Sequence, residues 1–288
     1  MLFKRILLAT AAFAFAAHAS AATLSLDVYN PGEKAIFPVT SVLVSGEKDA
    51  ILVDAQFGRE QAAQVVEKIR ASGKRLTTIY ISHGDPDYYF GLDTLTAAFP
   101  EAKVLASQPT VDHIKQTVEG KLAYWGPKMG ADAPGKTLVP GVLKGDSLML
   151  EGQKLQVVGL EGAQPDRTFV WIPSIKAVVG GVVVAENIHV WMADTQTAQS
   201  HADWLATLHA IESLKPNIVV PGHYLGDSAR SLAAVRFTAD YIKAFDEETA
   251  KAKDSAALVA AMKKRFPNLG DDSSLELSAK VAKGEMKW

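Results

Sequence analysis

Residues 81–92 read ISHGDPDYYFGL. One histidine, two aspartates and two tyrosines follow directly on a β-rich run. The stretch is therefore either a metal-binding catalytic loop that has exchanged some of its ligands or a turn-rich surface loop. What precedes it helps to decide. The runs 41–46 (SVLVSG) and 50–55 (AILVDA) are β-rich and separated by the polar Glu47, Lys48 and Asp49, which predicts a hairpin. Ala62, Val65, Val66 and Ile69 recur at i, i+3, i+4 and i+7, one buried helix face, and Gly73 ends that helix. A strand over 76–81 runs into the quoted loop. This places the loop at a strand's C-terminal end, where open α/β sheets hold their ligands.

The second half repeats the plan. Strands are expected at 154–160, 168–173 and 177–185, then a helix opened by a capping box of Ser200 and Asp203. Trp204, Leu208, Ile211 and Leu214 form its stripe, and Pro216 stops it before a strand at 217–220. That strand enters VVPGHYLGD (219–227), a second short polar loop carrying a histidine, His223. The segment 126–145, rich in glycine, proline and lysine, reads as a connection or a flap. Beyond Ser228 the pattern is helical to about Phe266 and then becomes a polar tail.

Composition narrows the function. The chain has 288 residues, 48% of them hydrophobic, enough for a full core. Lys4 and Arg5 precede an apolar run over 6–17, and Ala19, Ser20 and Ala21 fit a cleavage site, so 1–21 reads as a secretory signal peptide and 23–288 as one domain. The run has 12 residues, too short to span a bilayer, and no stable membrane anchor is expected. A periplasmic or secreted protein follows. Beyond the leader stand 28 basic and 32 acidic residues with no basic block, which argues against nucleic acid as a partner and leaves a small-molecule substrate. With zero cysteines, any transition-metal site must use histidine and carboxylate.

HGDPDY at 83–88, followed by Gly91, resembles the H-x-H-x-D-H signature of the metallo-β-lactamase-fold superfamily. A branch that includes DNA-uptake proteins reads S-H-x-D-x-D-H, as at Asp85 here. Tyr88 departs from the last histidine. SVLVSGEKDAILVDAQF (41–57) looks like the family's opening hairpin, with Asp54 at its usual acidic position. WLATLHAIESLKPNIVVPGHYLGD (204–227) looks like its helix, strand and final ligand loop. In LEGAQPDRTFVWIPSIKAVVGGVVV (160–184), Ala163 stands where a histidine ligand belongs and Val182 where the bridging aspartate belongs.

The resemblance implies an αββα sandwich of two similar halves, with mixed sheets between outer helices. It implies His83, Asp85, Asp87 and His223 as metal ligands, with Glu161 as a substitute for the missing histidine. A two-metal centre needs a carboxylate between ions about 3.5–4 Å apart. Val182 cannot supply one, so a single divalent ion is expected, zinc or the harder manganese or iron. Such an ion acidifies bound water and polarises a carbonyl, giving hydrolysis of a small ester, lactone, amide or thioester. Asp87 then orients the hydroxide or serves as base, and Tyr88 or His189 assists the oxyanion or leaving group. The losses at 163 and 182 also motivate a rival, a non-catalytic or regulatory binding protein that keeps the fold. An iron-dependent, oxygen-reducing enzyme is a third reading. In the blandest one, Asp85 and Asp87 merely form Asx turns around Pro86 and the histidines are solvated.

Overall fold

A computed structural model describes residues 23–288; the expected leader lies outside the described residues. The first sheet runs in chain order. Strands β1 (Ser25–Tyr29), β2 (Ser41–Ser45) and β3 (Asp49–Val53) pair antiparallel. Helix α1 (Arg59–Ser72), capped by Gly73 at φ +66°, then returns the chain to β4 (Arg75–Ile81), parallel to β3. Beyond the quoted loop, which winds into the short helix α2 (Pro86–Tyr89), come α3 (Leu92–Ala98), β5 (Lys103–Ala106), α4 (Gln108–Met129) and β6 (Gly141–Val142). Both β5 and β6 continue the parallel part of the sheet.

The second sheet is an antiparallel meander of β7 (Ser147–Leu150), β8 (Gln153–Val158), β9 (Phe169–Ile172) and β10 (Ala177–Val179). After β11 (Ala185–Glu186) and helix α5 (Ala198–Ser213), strand β12 (Ile218–Val219) joins β10 in parallel and β13 (His223–Tyr224) pairs with β11. Helices α6 (Leu232–Lys251), α7 (Ser255–Arg265) and α8 (Asp272–Ala282) complete the outer layer.

Strand alternation explains the layering, because successive side chains point to opposite faces. Val42, Val44, Ile51, Val53 and Tyr80 meet Leu155, Val157, Val170 and Ile172 between the sheets. Leu43, Leu52, Ile79 and Ile81 instead pack on α1 and α3 through Val65, Ile69, Leu92 and Leu95. Phe169 and Val178 face Trp204, Leu208, Ile242 and Phe245 on the other side. Four layers result, helix, sheet, sheet, helix, as expected for an αββα sandwich. Glu151, in the turn between β7 and β8, adds a polar tie: its carboxylate accepts the backbone N–H groups of Glu47, Lys48 and Asp49 at 2.7, 2.6 and 2.8 Å.

Several local expectations are corrected. The strand expected over 177–185 stops at Val179, because Gly180 and Gly181 take φ of +70° and +84° and turn the chain away. The capping box lies one turn earlier than expected, between Thr197 and Ser200. Residues 126–129 extend α4 rather than form a flap, and the polar tail folds into α8, which buries Leu275, Ala279 and Val281. Among the described residues no helix is long and apolar enough to cross a membrane.

Candidate active site

The ends of β3 and β4 are locked together by a buried carboxyl. Asp54, at φ +68°, accepts from Ser82 N at 2.8 Å and from the Ser82 hydroxyl, whose oxygen in turn accepts from Gly181 N at 2.7 Å. Burial pushes the Asp54 pKa up to about 7, against the hydrogen bonds from Ser82. This knot joins both sheets and fixes where the next residue, His83, leaves β4.

His83 is buried, and both its ring nitrogens face acceptors: Nδ1 meets the Asp166 carbonyl and Nε2 the Asp85 carboxylate, each at 3.1 Å. Both neighbours are acceptors, an arrangement that favours a proton on each ring nitrogen. Burial works against that charge, but the Asp85 carboxylate outweighs it and the pKa is raised. Burial alone would raise Asp85; the charge of His83, then His113 and Lys121, hold it well below the usual carboxylate range. Lys121 Nζ, from α4, lies 3.3 Å from Asp85 and His113 Nε2 lies 3.9 Å away.

A second cluster forms beside the first. Strand β13 brings His223 to α2, where Nε2 donates to Asp87 Oδ2 at 2.7 Å and Nδ1 lies 3.3 Å from the Tyr88 hydroxyl. The close approach depends on Gly222, where a Cβ would fall 2.1 Å from the Gly181 carbonyl oxygen. Tyr88 is wholly buried, with its ring near-perpendicular to both histidines, its centroid 5.3 Å from His83 and 5.6 Å from His223. Burial first, then Asp87 and the other carboxylates, push its pKa well up, so the hydroxyl stays neutral.

These placements test the expected metal. His83, Asp85, Asp87, Tyr88 and His223 are brought together, but as two paired clusters rather than one ligand shell. Both ring nitrogens of His83 are engaged by acceptors, and Asp87 and His223 bind each other directly. Among the described residues no group of three or more histidine and carboxylate side chains is disposed to hold a metal ion. The donor set therefore does not fit a resident ion.

Glu161 lies exposed on a turn and Ala163 is exposed as well, so no substitute ligand enters. His189 is not at the site: it is buried with Nδ1 3.1 Å from the Tyr241 hydroxyl and Nε2 3.8 Å from Asp272. Burial lowers its pKa, opposed by Asp272.

Above Asp87 and His223 opens a narrow cleft with a cavity volume of about 50 Å³, with Val182 in its wall and Phe37, Trp125, Trp191 and Trp288 among its lining. Trp191 and Trp288 pack edge to face at 5.1 Å, and their indole N–H groups each donate to an Asp194 oxygen at 2.6 Å. An adjoining cavity is lined by His83, Asp85, Lys121, Ala163, Arg167 and Asp194, among others. The sequence reading missed Lys121, Arg167, Asp194 and Trp288. No motif flags them; only the lysine's place on a long helical segment and the arginine's position four residues after Ala163 could have pointed to them.

The sequence profile of the metallo-beta-lactamase superfamily matches residues 36–223. A metallo-beta-lactamase from Pontibacter korlensis superposes with a TM-score of 0.56 at 18% identity, covering 76% of this chain and 93% of its own. A metallo-beta-lactamase family protein from Thermus thermophilus gives 0.63 at 16% identity, covering 91% of each chain. At these identities the likeness is one of fold. The uncharacterized protein YobT of Bacillus subtilis (strain 168) is 35% identical over 74 residues, which is 26% of this chain and 31% of YobT, so the match spans under a third of that relative. Profile match, four-layer architecture and the placing of the 83–88 loop beside His223 agree: the chain belongs to the metallo-β-lactamase superfamily.

Proposed function

We propose that this protein is an exported hydrolase of a small molecule carrying an ester, lactone, amide or thioester bond, and that it works through Asp87, His223 and Tyr88 rather than through a resident ion. The superfamily is largely made of hydrolases that bind divalent metals, which supports the reaction class. The single observation that carries the reading is the hydrogen-bonded chain from Asp87 through His223 to Tyr88 beside an aromatic cleft. Asp87 holds the proton on Nε2 and leaves Nδ1 as the base. Water attacks the substrate carbonyl while giving a proton to the Tyr88 oxygen, and Tyr88 passes its own proton to Nδ1. The reverse transfer protonates the leaving group as the tetrahedral intermediate collapses. General-base assistance of this kind contributes about 10²–10⁴-fold.

Hydrolysis of p-nitrophenyl acetate and of a γ-lactone, followed with and without EDTA, tests this. Turnover should survive chelation and fall about 100-fold in His223→Gln and in Asp87→Asn. Turnover that vanishes with EDTA and returns with zinc or manganese would overturn the ion-free mechanism. A second reading, a binding protein that has kept the fold, is favoured by Ala163, Val182 and the two occupied nitrogens of His83. Its signature is ligand binding in the cleft with no hydrolysis above the Asp87→Asn background. Export rests on residues 1–21; a mature N-terminus near residue 22, recovered from the periplasmic or culture fraction, is the expected result.

A further inference from the structure

Arg167 is 6% exposed, its guanidinium 4.5 Å from the centre of the Trp204 ring. Among the described residues no hydrogen bond or ion pair reaches that guanidinium, and its Nε is buried without a partner. Buried charges are normally paired, because a desolvated ion without a counter-charge strongly destabilises the folded state. Asp194, Asp85 and Asp166 act on Arg167 through their charge without direct contact, and two of the three are otherwise engaged. Asp85 accepts from His83 and Lys121, and the two oxygens of Asp194 take the indole N–H groups of Trp191 and Trp288. Asp166 shares the cavity wall without an ion pair to Arg167.

Arg167 lines a cavity that holds another unmet hydrogen-bonding group. Of the buried unpartnered side-chain atoms among the described residues, Gln164 Oε1 and Arg167 Nε belong to residues lining this one cavity, and His113 Nε2, in the same lining, has only Asp85 at 3.9 Å. Asp85, Lys121, Asp194 and Trp288 line both this cavity and the aromatic cleft, so the two adjoin.

We propose that Arg167 receives the carboxylate of a small organic acid, or of a substrate bearing one, whose flat apolar body lies toward Trp288 and the aromatic wall. A planar guanidinium matches a carboxylate in two parallel hydrogen bonds. The charge fits a monoanion: Lys121 is already spent on Asp85, and the remaining cations Arg167 and Lys287 share the wall with Asp166 and Asp194, which would repel a dianion. This inference deepens the reading of the cleft as a substrate site by naming the charged group the substrate carries.

The test uses the whole protein, with phenylacetate as probe and phenylacetamide and phenyl phosphate as comparisons, titrated by calorimetry. Phenylacetate should bind at least tenfold more tightly than either comparison. Arg167→Met should abolish that preference while raising the melting temperature of the free protein, since it removes an unpaired buried charge; Arg167→Lys should keep part of the preference. Equal binding of phenylacetate and phenylacetamide, tighter binding of phenyl phosphate, or an Arg167→Met variant that melts lower and binds phenylacetate as before would each overturn it. Because the readout is binding, loss of hydrolysis alone would sink the enzymatic reading and leave this one standing.

Discussion

Asp54 shows how much one buried side chain can set. Its carboxyl joins both sheets through Ser82, yet burial holds its pKa near 7. A carboxyl whose pKa is higher folded than unfolded binds protons more tightly in the native state. Its contribution is therefore greatest at pH values below the unfolded pKa, and stability is lost as pH rises through the folded value. Denaturant titrations between pH 4 and 8 should show this contribution declining, by an amount on the order of a few kcal/mol. Asp54→Asn mimics the protonated carboxyl and tolerates the left-handed backbone, so it should flatten that dependence; an unchanged slope would assign the pH sensitivity elsewhere. At this scale the sequence was partly legible. His83 and His223 stand out because each ends a strand and enters a polar loop. His189 misled, because a histidine bonded to Tyr241 in the core carries the same letter as one lining a cleft. Arg167 was invisible, since its distinction is the lack of a partner, which only packing reveals.

Between elements, the decisive contact is the crossing of two loops at glycine. A Cβ on Gly222 would lie 2.1 Å from the Gly181 carbonyl oxygen, and one on Gly181 the same distance from the Thr168 carbonyl oxygen. Three backbone segments thus close on one another below Tyr88 and carry His223 to Asp87. Gly222→Ala should cost about 1–3 kcal/mol of stability by overpacking and also draw His223 away from Asp87. Urea unfolding measures the first, and loss of hydrolysis at pH 7 the second; a variant unchanged in both would show that the loops have room to part. The hairpin, α1 and α5 were readable because their buried positions are large and regularly spaced. The last helix was not, since three of its five buried residues are Ser274, Ser278 and Ala279, too small or too polar to register as a stripe. The break after Val179 was hidden for the opposite reason: a long apolar run, 177–185, masked the turn that two glycines impose.

For the molecule as a whole, the site exists only where the two halves meet, with Asp87 delivered by the first sheet and His223 by the second half of the chain. Four of the five tryptophans, Trp125, Trp191, Trp204 and Trp288, line the cleft between them. The indole N–H groups of two of them are tied to Asp194, which a carboxylate entering beside Arg167 would approach. Intrinsic emission of this protein is consequently a report from its cleft rather than an average over its core. Phenylacetate should change that emission saturably, with Trp288→Phe reducing the amplitude, and an unresponsive spectrum would mean that the ligand stays clear of these rings. The fold has in effect gathered its own chromophores around its empty space, so occupancy can be followed by light alone, without label or turnover.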